Sequence, residues 1–250
     1  MNLNPMEQFT IKPIIPLHIG GYDVSFTNQS LLMVIVTVAA ALFLSLAVNP
    51  KRLVPTRSQS MAEMSYEFIS NMIHSSTGED GLKFFPFVFT LFIFVLLANF
   101  FGMVPYSFTI TSQIAVTFAL ASLVVLAVIV TGFMKHGIGF LKLFVPHAPL
   151  PLLFLLVPIE VISFLTRPIS LSVRLFANML AGHTMLAVFG GFVVALGAAG
   201  GVLSVLSIAP MLLIVAIMLL ELLVAFLQAY VFAILTCIYL NEALHLHDHH

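Results

Sequence analysis

Charge is what this sequence has least of. Only 8% of its 250 residues are Asp, Glu, Lys or Arg, against roughly 25% in soluble domains, so a soluble globular fold is excluded. The net charge of −1 comes without any basic stretch that could track a phosphate backbone, so no nucleic-acid partner is expected. Cysteine is almost absent as well. Cys237 stands alone, which rules out an internal disulfide and a thiolate metal cage. No metal and no cofactor are expected. The N-terminal stretch "MNLNPMEQFTIKPIIPLHIGGYDVSF" lacks a basic region followed at once by an apolar core. Residues 1–30 therefore read as a mature extramembrane segment and not as a signal peptide.

What is abundant is apolar surface. Hydrophobic residues make up 61% of the chain and mean hydropathy is +1.15. The expected class is an all-α polytopic membrane protein, one membrane domain over 31–250. Residues 31–48 form an uncharged apolar run long enough to cross a bilayer, stopped by "NPKR" at 49–52. No residue is charged between Lys83 and Lys135. That interval is too long for one helix, and "VPYSFTITSQ" (104–113) supplies a turn inside it. Residues 175–220 are also uncharged, and the Gly-rich "GGFVVALGAAGG" (190–201) is expected to break them. Five crossings result, at about 31–48, 84–104, 111–134, 150–192 and 203–240.

The connecting loops carry independent information. Lys51, Arg52, Arg57 and Lys83 lie in the first loop, and Lys135 and Lys142 in the third. The second and fourth connections hold no Lys or Arg, and the N-terminal segment has only Lys12. Positive loops face the cytoplasm, which puts the N-terminus outside and the C-terminus inside.

Two segments do not suit upright spans. Residues 57–76 place Met61, Met64, Phe68, Met72 and Ile73 on one face, with Glu63, Glu67, Asn71 and His74 elsewhere. Such a pattern fits a helix lying in the interface plane, or else a loop helix packed on the protein. The last two apolar regions approach 40 residues, where about 20 suffice for an upright crossing. They must be strongly tilted, broken or protruding. Pro158 and Pro168 make kinks in the earlier one an expectation.

Within these spans sit Glu160, Arg167, Arg174 and Glu221, with His183 as a titratable companion. A charge at the bilayer centre costs roughly 2.5–3.5 kcal/mol on insertion scales, so such groups face a partner or a watery cavity and mark ion pathways. Arg167, near the cytoplasmic end and followed by Pro168, reads as a snorkelling side chain. Glu160, Arg167 and Arg174 repeat every seven residues and share one helical stripe, with Asn178 one turn beyond. His183, nine residues past Arg174, points the other way on a regular helix. On the last span Glu221 and Gln228 are seven apart, and Tyr239 falls near their stripe.

Carboxylates and imidazoles exchange protons at accessible pH, whereas a guanidinium does not. Glu160, His183 and Glu221 are thus candidate proton carriers, and Arg174 a permanent positive charge. Such a charge favours the ionised form of a passing carboxylate and repels protons, so it can separate two aqueous paths. Other roles suit some of these residues. Asn178 and Gln228 can act as interhelical hydrogen-bonding groups, the glycines of 190–201 as turn formers, and the "FFPFVFTLFIF" run (84–94) as a lipid-facing surface. His245, His247, His249 and His250 make either a metal-binding or a solvated tail.

"RPISLSVRLFANMLAGH" (167–183) together with "ELLVAFLQAYVFAILTCIYL" (221–240) resembles subunit a of the F-type ATP synthase, in its mitochondrial-type and related bacterial branch. The similarity extends to "PMEQFTI" (5–11) and "LLANFFGMVPYSFT" (96–109). It implies that Arg174 faces the ring carboxylate of subunit c, with Asn178 one turn on and Gln228 on the opposing helix. Glu160 corresponds to the acidic residue of the cytoplasmic exit path, and His183 with Glu221 to the periplasmic inlet pair. The resemblance also implies an interfacial helix after the first span and two final helices steeply tilted around the c-ring. Implied partners are the c-ring, the b/b′ peripheral stalk and membrane lipid. The implied location is a bacterial inner membrane, with the chain a non-catalytic, proton-translocating component. Two competing classes fit less well. A secondary antiporter would show inverted repeats, and a haem- or quinone-binding subunit would show paired histidines on facing spans.

Overall fold

The computed structural model describes residues 10–16, 18–19, 22–23, 25–48, 56–104, 108–145 and 150–245. The stop at 49–52, residues 105–107 of the expected turn, the opening "PMEQF" and His247, His249 and His250 lie outside them. Seven α-helices are described: α1 (Asn28–Val48), α2 (Arg57–Thr77), α3 (Phe85–Gly102), α4 (Ile114–His136), α5 (Leu150–Ala199), α6 (Gly201–Leu206) and α7 (Ile208–Leu244). Among the described residues five helical segments are long and apolar enough to cross a membrane, and α1, α3, α4, α5 and α7 carry them. The chain is an all-α, multi-pass membrane protein.

Strands are minor. β1 (Pro13–Ile15) pairs antiparallel with β4 (Phe26–Thr27), and β2 (His18–Ile19) with β3 (Tyr22–Asp23). This small hairpin leads straight into α1. The Thr27 hydroxyl accepts from the Ser30 amide at 3.3 Å, satisfying one of the free donors of the first turn. Asn28 ties the helix start back to the hairpin, its Oδ1 accepting from the Lys12 amide at 3.1 Å.

Contacts divide the chain into two compact units. One comprises Met1–Leu42, Phe94–Gln113 and Leu175–Ala229, the other Phe43–Ile93, Ile114–Arg174 and Tyr230–His250. Inside the first, Val95, Ala98, Phe108, Ile110, Leu175, Met179, Ala225 and Ala229 are buried. Inside the second, Ile69, Ile73, Val88, Val124, Phe140, Phe232 and Leu240 are buried. Small side chains at such contacts let helix backbones approach closely where lipid offers no hydrophobic drive between helices. The second unit adds a 3.0 Å hydroxyl pair between Thr117 and Ser172. Its polar end carries the Lys135–Asp80 pair at 3.1 Å. There His136 also meets the Leu244 carbonyl at the end of α7.

The apolar face expected on α2 splits in two. Met72 and Ile73 are buried with Ala62 and Ile69, whereas Met61, Met64 and Phe68 remain exposed. Thr56 caps the helix through the Gln59 amide, and Gly78, at φ +70°, ends it.

The Gly-rich stretch breaks the helical run at its far end. α5 runs through Gly190 and Gly197 to Ala199, so this crossing continues past residue 192. Only Gly200 and Gly201, at φ +69° and +62°, adopt the left-handed backbone that turns the chain. The reason is local: a glycine weakens a helix without breaking it, and a break needs a conformation that other residues avoid. Pro158 and Pro168 both lie inside α5.

Candidate functional site

Each compact unit holds a cluster of titratable side chains within its spans. In the first unit α5 supplies His183, α7 supplies Glu221, and the segment after α3 supplies Thr109. Glu221 is 6% exposed, and its Oε1 lies 3.5 Å from His183 Nε2. The His183 and Glu221 side chains thus lie next to each other. That Oε1 has no hydrogen-bond partner among the described residues. Charge-assisted bonds ordinarily close to about 2.7–2.9 Å, so the pair is near but not locked.

Space for this carboxyl group comes from glycine. A Cβ on Gly182 would lie 2.7 Å from Glu221 Oε1 and 3.0 Å from its Cδ. α7 follows with Ala225, fully buried, and Gln228, 6% exposed. Glu221, Ala225 and Gln228 therefore form the buried stripe that their spacing predicts. Asn99, fully buried on α3, donates its Nδ2 to the Ala225 carbonyl at 3.1 Å. That bond holds α7 one turn beyond Glu221.

Thr109 was not among the sequence candidates. Its Oγ1 lies 3.2 Å from His183 Nε2 and 3.4 Å from the Gly102 carbonyl. A lone threonine beside a turn carries no sequence signal. Asn99 carried a weak one, as an amide amid the phenylalanines of α3.

In the second unit Glu160, Arg167 and Glu242, with Leu143, Phe144 and Phe164, line a cleft of about 210 Å³. The Arg167 guanidinium donates to Glu242 Oε2 and lies 4.8 Å from the Tyr239 ring centroid and 5.4 Å from that of Phe164. This cation–π stacking on Tyr239 is the kind that desolvated sites favour. Arg167 is thus an ion-pair partner, not the snorkelling side chain expected from its position. The reason is that α7 brings Glu242 within reach, 75 residues away in sequence. Glu242 itself went unselected because it sits at the polar end of the last span, where a carboxylate costs little.

Arg174 and Asn178 are both exposed, as are Val173, Ala177 and Ala181 on the same side of α5. Leu171, Ser172, Leu175 and Met179 on the opposite side are buried. Arg174 is also the last residue of α5 in the second unit, and Leu175 opens the share of the first. His183 lies on the inner side, as its nine-residue offset from Arg174 predicts. Tyr239, five turns past Glu221 on the same stripe of α7, meets Arg167. The polar groups of α5 and α7 thus sort into an imidazole–carboxylate set and a set of two carboxylates around a guanidinium. Both are equipped to accept and release protons.

Comparison with known proteins gives the family. The family model described as the ATP synthase A chain matches residues 30–241. The protein named ATP synthase subunit a in Mesorhizobium japonicum is 62% identical over 244 residues, covering 97% of each chain. Its namesake in Chelativorans sp. is 60% identical over 98% of this chain and 99% of its own. A third, from Sinorhizobium medicae, is 59% identical over the full length of both. With a family match across most of its length and relatives so similar from end to end, the chain belongs to the ATP synthase A chain family.

Proposed function

We propose that this chain passes protons along two offset half-channels, one built on each polar set, and that Arg174 keeps them from joining. As a member of its family the chain is a non-catalytic, proton-translocating subunit of the ATP synthase membrane sector. ATP is made elsewhere in the complex. In this reading Glu221 and His183 form the periplasmic inlet, with Gln228 and Asn178 beside the path. Glu160 and Tyr239 belong to the cytoplasmic exit, where Arg167 and Glu242 line the same cleft. The partner that receives and returns the protons is the c-ring, whose carboxylates turn past Arg174. The b/b′ stalk holds the chain static, and membrane lipid covers the rest.

The observation that carries this reading is Arg174 itself, exposed on a helix that crosses the membrane. Facing lipid it would cost roughly 2.5–3.5 kcal/mol or more. Facing a carboxylate of a partner it stabilises the ionised form and is itself stabilised. The exposed side of α5 around it carries the small residues Ala177 and Ala181, which permit close approach of another helix.

The same reading assigns residues 1–30 to the periplasmic side and 31–250 to a single membrane domain with the C-terminus in the cytoplasm. The membrane is a bacterial inner membrane. α2 lies in its interface, Met61, Met64 and Phe68 toward lipid. The positive loops support that orientation.

The test is Arg174→Ala in the assembled complex, in inverted membrane vesicles. ATP-driven proton pumping is expected to disappear while passive proton conductance persists or rises. Coupled pumping at the parent rate would remove Arg174 from its role as the barrier.

A further inference from the structure

The proposed path leaves Thr109 without a role, yet its side chain is firmly held. It is 2% exposed and fixed from three directions. Its methyl group packs on the end of α3, where a Cβ on Gly102 would come within 2.8 Å of Thr109 Cγ2. Its carbonyl accepts from the Ser112 hydroxyl at 2.7 Å. Its own hydroxyl donates to the Gly102 carbonyl at 3.4 Å. A hydroxyl has one proton, and the Gly102 carbonyl can only accept. With that proton committed, the Thr109 oxygen is left to accept, and 3.2 Å away is His183 Nε2. That arrangement suits an imidazole N–H on Nε2 facing the threonine.

That same nitrogen lies 3.5 Å from Glu221 Oε1. His183 Nε2 is thus shared between a neutral hydroxyl and a carboxylate, and it sits nearer the hydroxyl. We infer that Thr109 is a positioning residue of the inlet path, whose hydroxyl holds the His183 ring within reach of Glu221 without letting the two close into a fixed ion pair. This rests on the reading of His183 and Glu221 as the inlet. The physical advantage is turnover. A site that passes ions must bind them firmly enough to admit them and weakly enough to release them. A charge-assisted bond drawn in to full strength would hold the proton in place. A neutral oxygen acceptor on a rigid turn keeps the ring oriented and leaves the exchange with Glu221 shallow.

Packing and positioning by Thr109 make opposite predictions for two substitutions. Thr109→Val keeps the shape and the methyl contact with Gly102 but removes the hydroxyl. Thr109→Ser keeps the hydroxyl and removes the methyl group. Both are to be made in the intact complex, with the initial rate of ATP-driven pumping and the passive proton flux through the membrane sector measured in inverted vesicles. Positioning predicts Thr109→Val slower by about two- to tenfold, the range that one net hydrogen bond spans, and Thr109→Ser at the parent rate. The reverse order, or equal rates in Thr109→Val and the parent, overturns the inference.

His183→Ala separates this inference from the reading beneath it. If that variant transports at the parent rate, the inlet assignment has failed. If it is slow while Thr109→Val is not, only the role of Thr109 has failed. In the double variant Thr109→Val/His183→Ala, the threonine change should add no further slowing, because it acts through the ring. Additive slowing overturns the inference. Should Thr109→Val not assemble, Thr109→Ala removes the hydroxyl with less bulk and is judged by the same order against Thr109→Ser. Assembly of Thr109→Ser alone among the three would assign the residue to folding and overturn the inference.

Discussion

Replacing Gly182 with alanine puts one methyl group against the Glu221 carboxyl group of the proposed proton path. The added Cβ would lie 2.7 Å from Glu221 Oε1, 3.0 Å from Cδ and 3.4 Å from Cγ. Ordinary contact begins near 3.4 Å, so the carboxyl group must retreat by about 0.7 Å. Glu221 is a flexible side chain, and rotating its end relieves the overlap at little cost. Alanine also favours a helix interior by about 0.8–1 kcal/mol over glycine. The complex should therefore assemble normally and melt within about 1 kcal/mol of the parent. Transport should not escape. A retreat directed away from α5 carries Oε1 away from His183 Nε2, which starts 3.5 Å distant. Misplacement of reacting groups by about 1 Å costs up to a hundredfold in rate. A shift of about 0.7 Å then corresponds to slowing on the order of tenfold. The assay is proton flux in inverted vesicles beside the melting curve of the purified complex. Gly190→Ala is the control, because among the described residues nothing lies within 4 Å of its Cβ position, and both its flux and its melting should match the parent. Parent-rate flux in Gly182→Ala, or equal slowing in the control, would refute the reasoning.

Two further outcomes concern the second unit. Gly132→Ala drives a Cβ into the Cδ2–Cε2 edge of the Phe140 ring, which is 1% exposed and flanked by Phe133 and Phe144. A wedged aromatic ring cannot swing aside as a glutamate does, so the expected loss is about 1–3 kcal/mol, read as a lower melting temperature; an unchanged melt would show that this region repacks freely. Glu242→Ala removes the acceptor of Arg167 and should cost about 1.5–3 kcal/mol by the same measurement. Glu242→Gln still offers a carbonyl oxygen and should cost less. Equal melting of the two would mean the ion pair contributes nothing to stability.

Much of this protein is legible along the chain, for a reason rooted in its solvent. In a bilayer every backbone group must bond within its own segment, so a long uncharged run has little choice but to become a helix. Hence the five helices fall where hydropathy puts them. The same expense makes each intramembrane charge conspicuous, and Arg174, Glu160, His183 and Glu221 could be singled out without any structure. Helical periodicity even foretold that Arg174 and His183 face opposite ways.

Tertiary structure alone decided who meets whom. Periodicity speaks only of one helix at a time, so it put Tyr239 on the Glu221 stripe of α7 without showing that Arg167 lies over its ring. It read Arg167 as a side chain reaching for water, whereas α7 supplies Glu242 as its partner. It also allowed a break at the first glycines of 190–201, although only Gly200 and Gly201 take the turning conformation. Thr109 went unseen because its importance lies in a 3.2 Å contact across 74 residues of chain. Sequence by itself determined which residues enter the membrane and which of them are too costly to be there without a purpose. Contacts between distant segments determined what each of those residues touches, because a side chain's neighbours depend on the packing of helices that local patterns never encode.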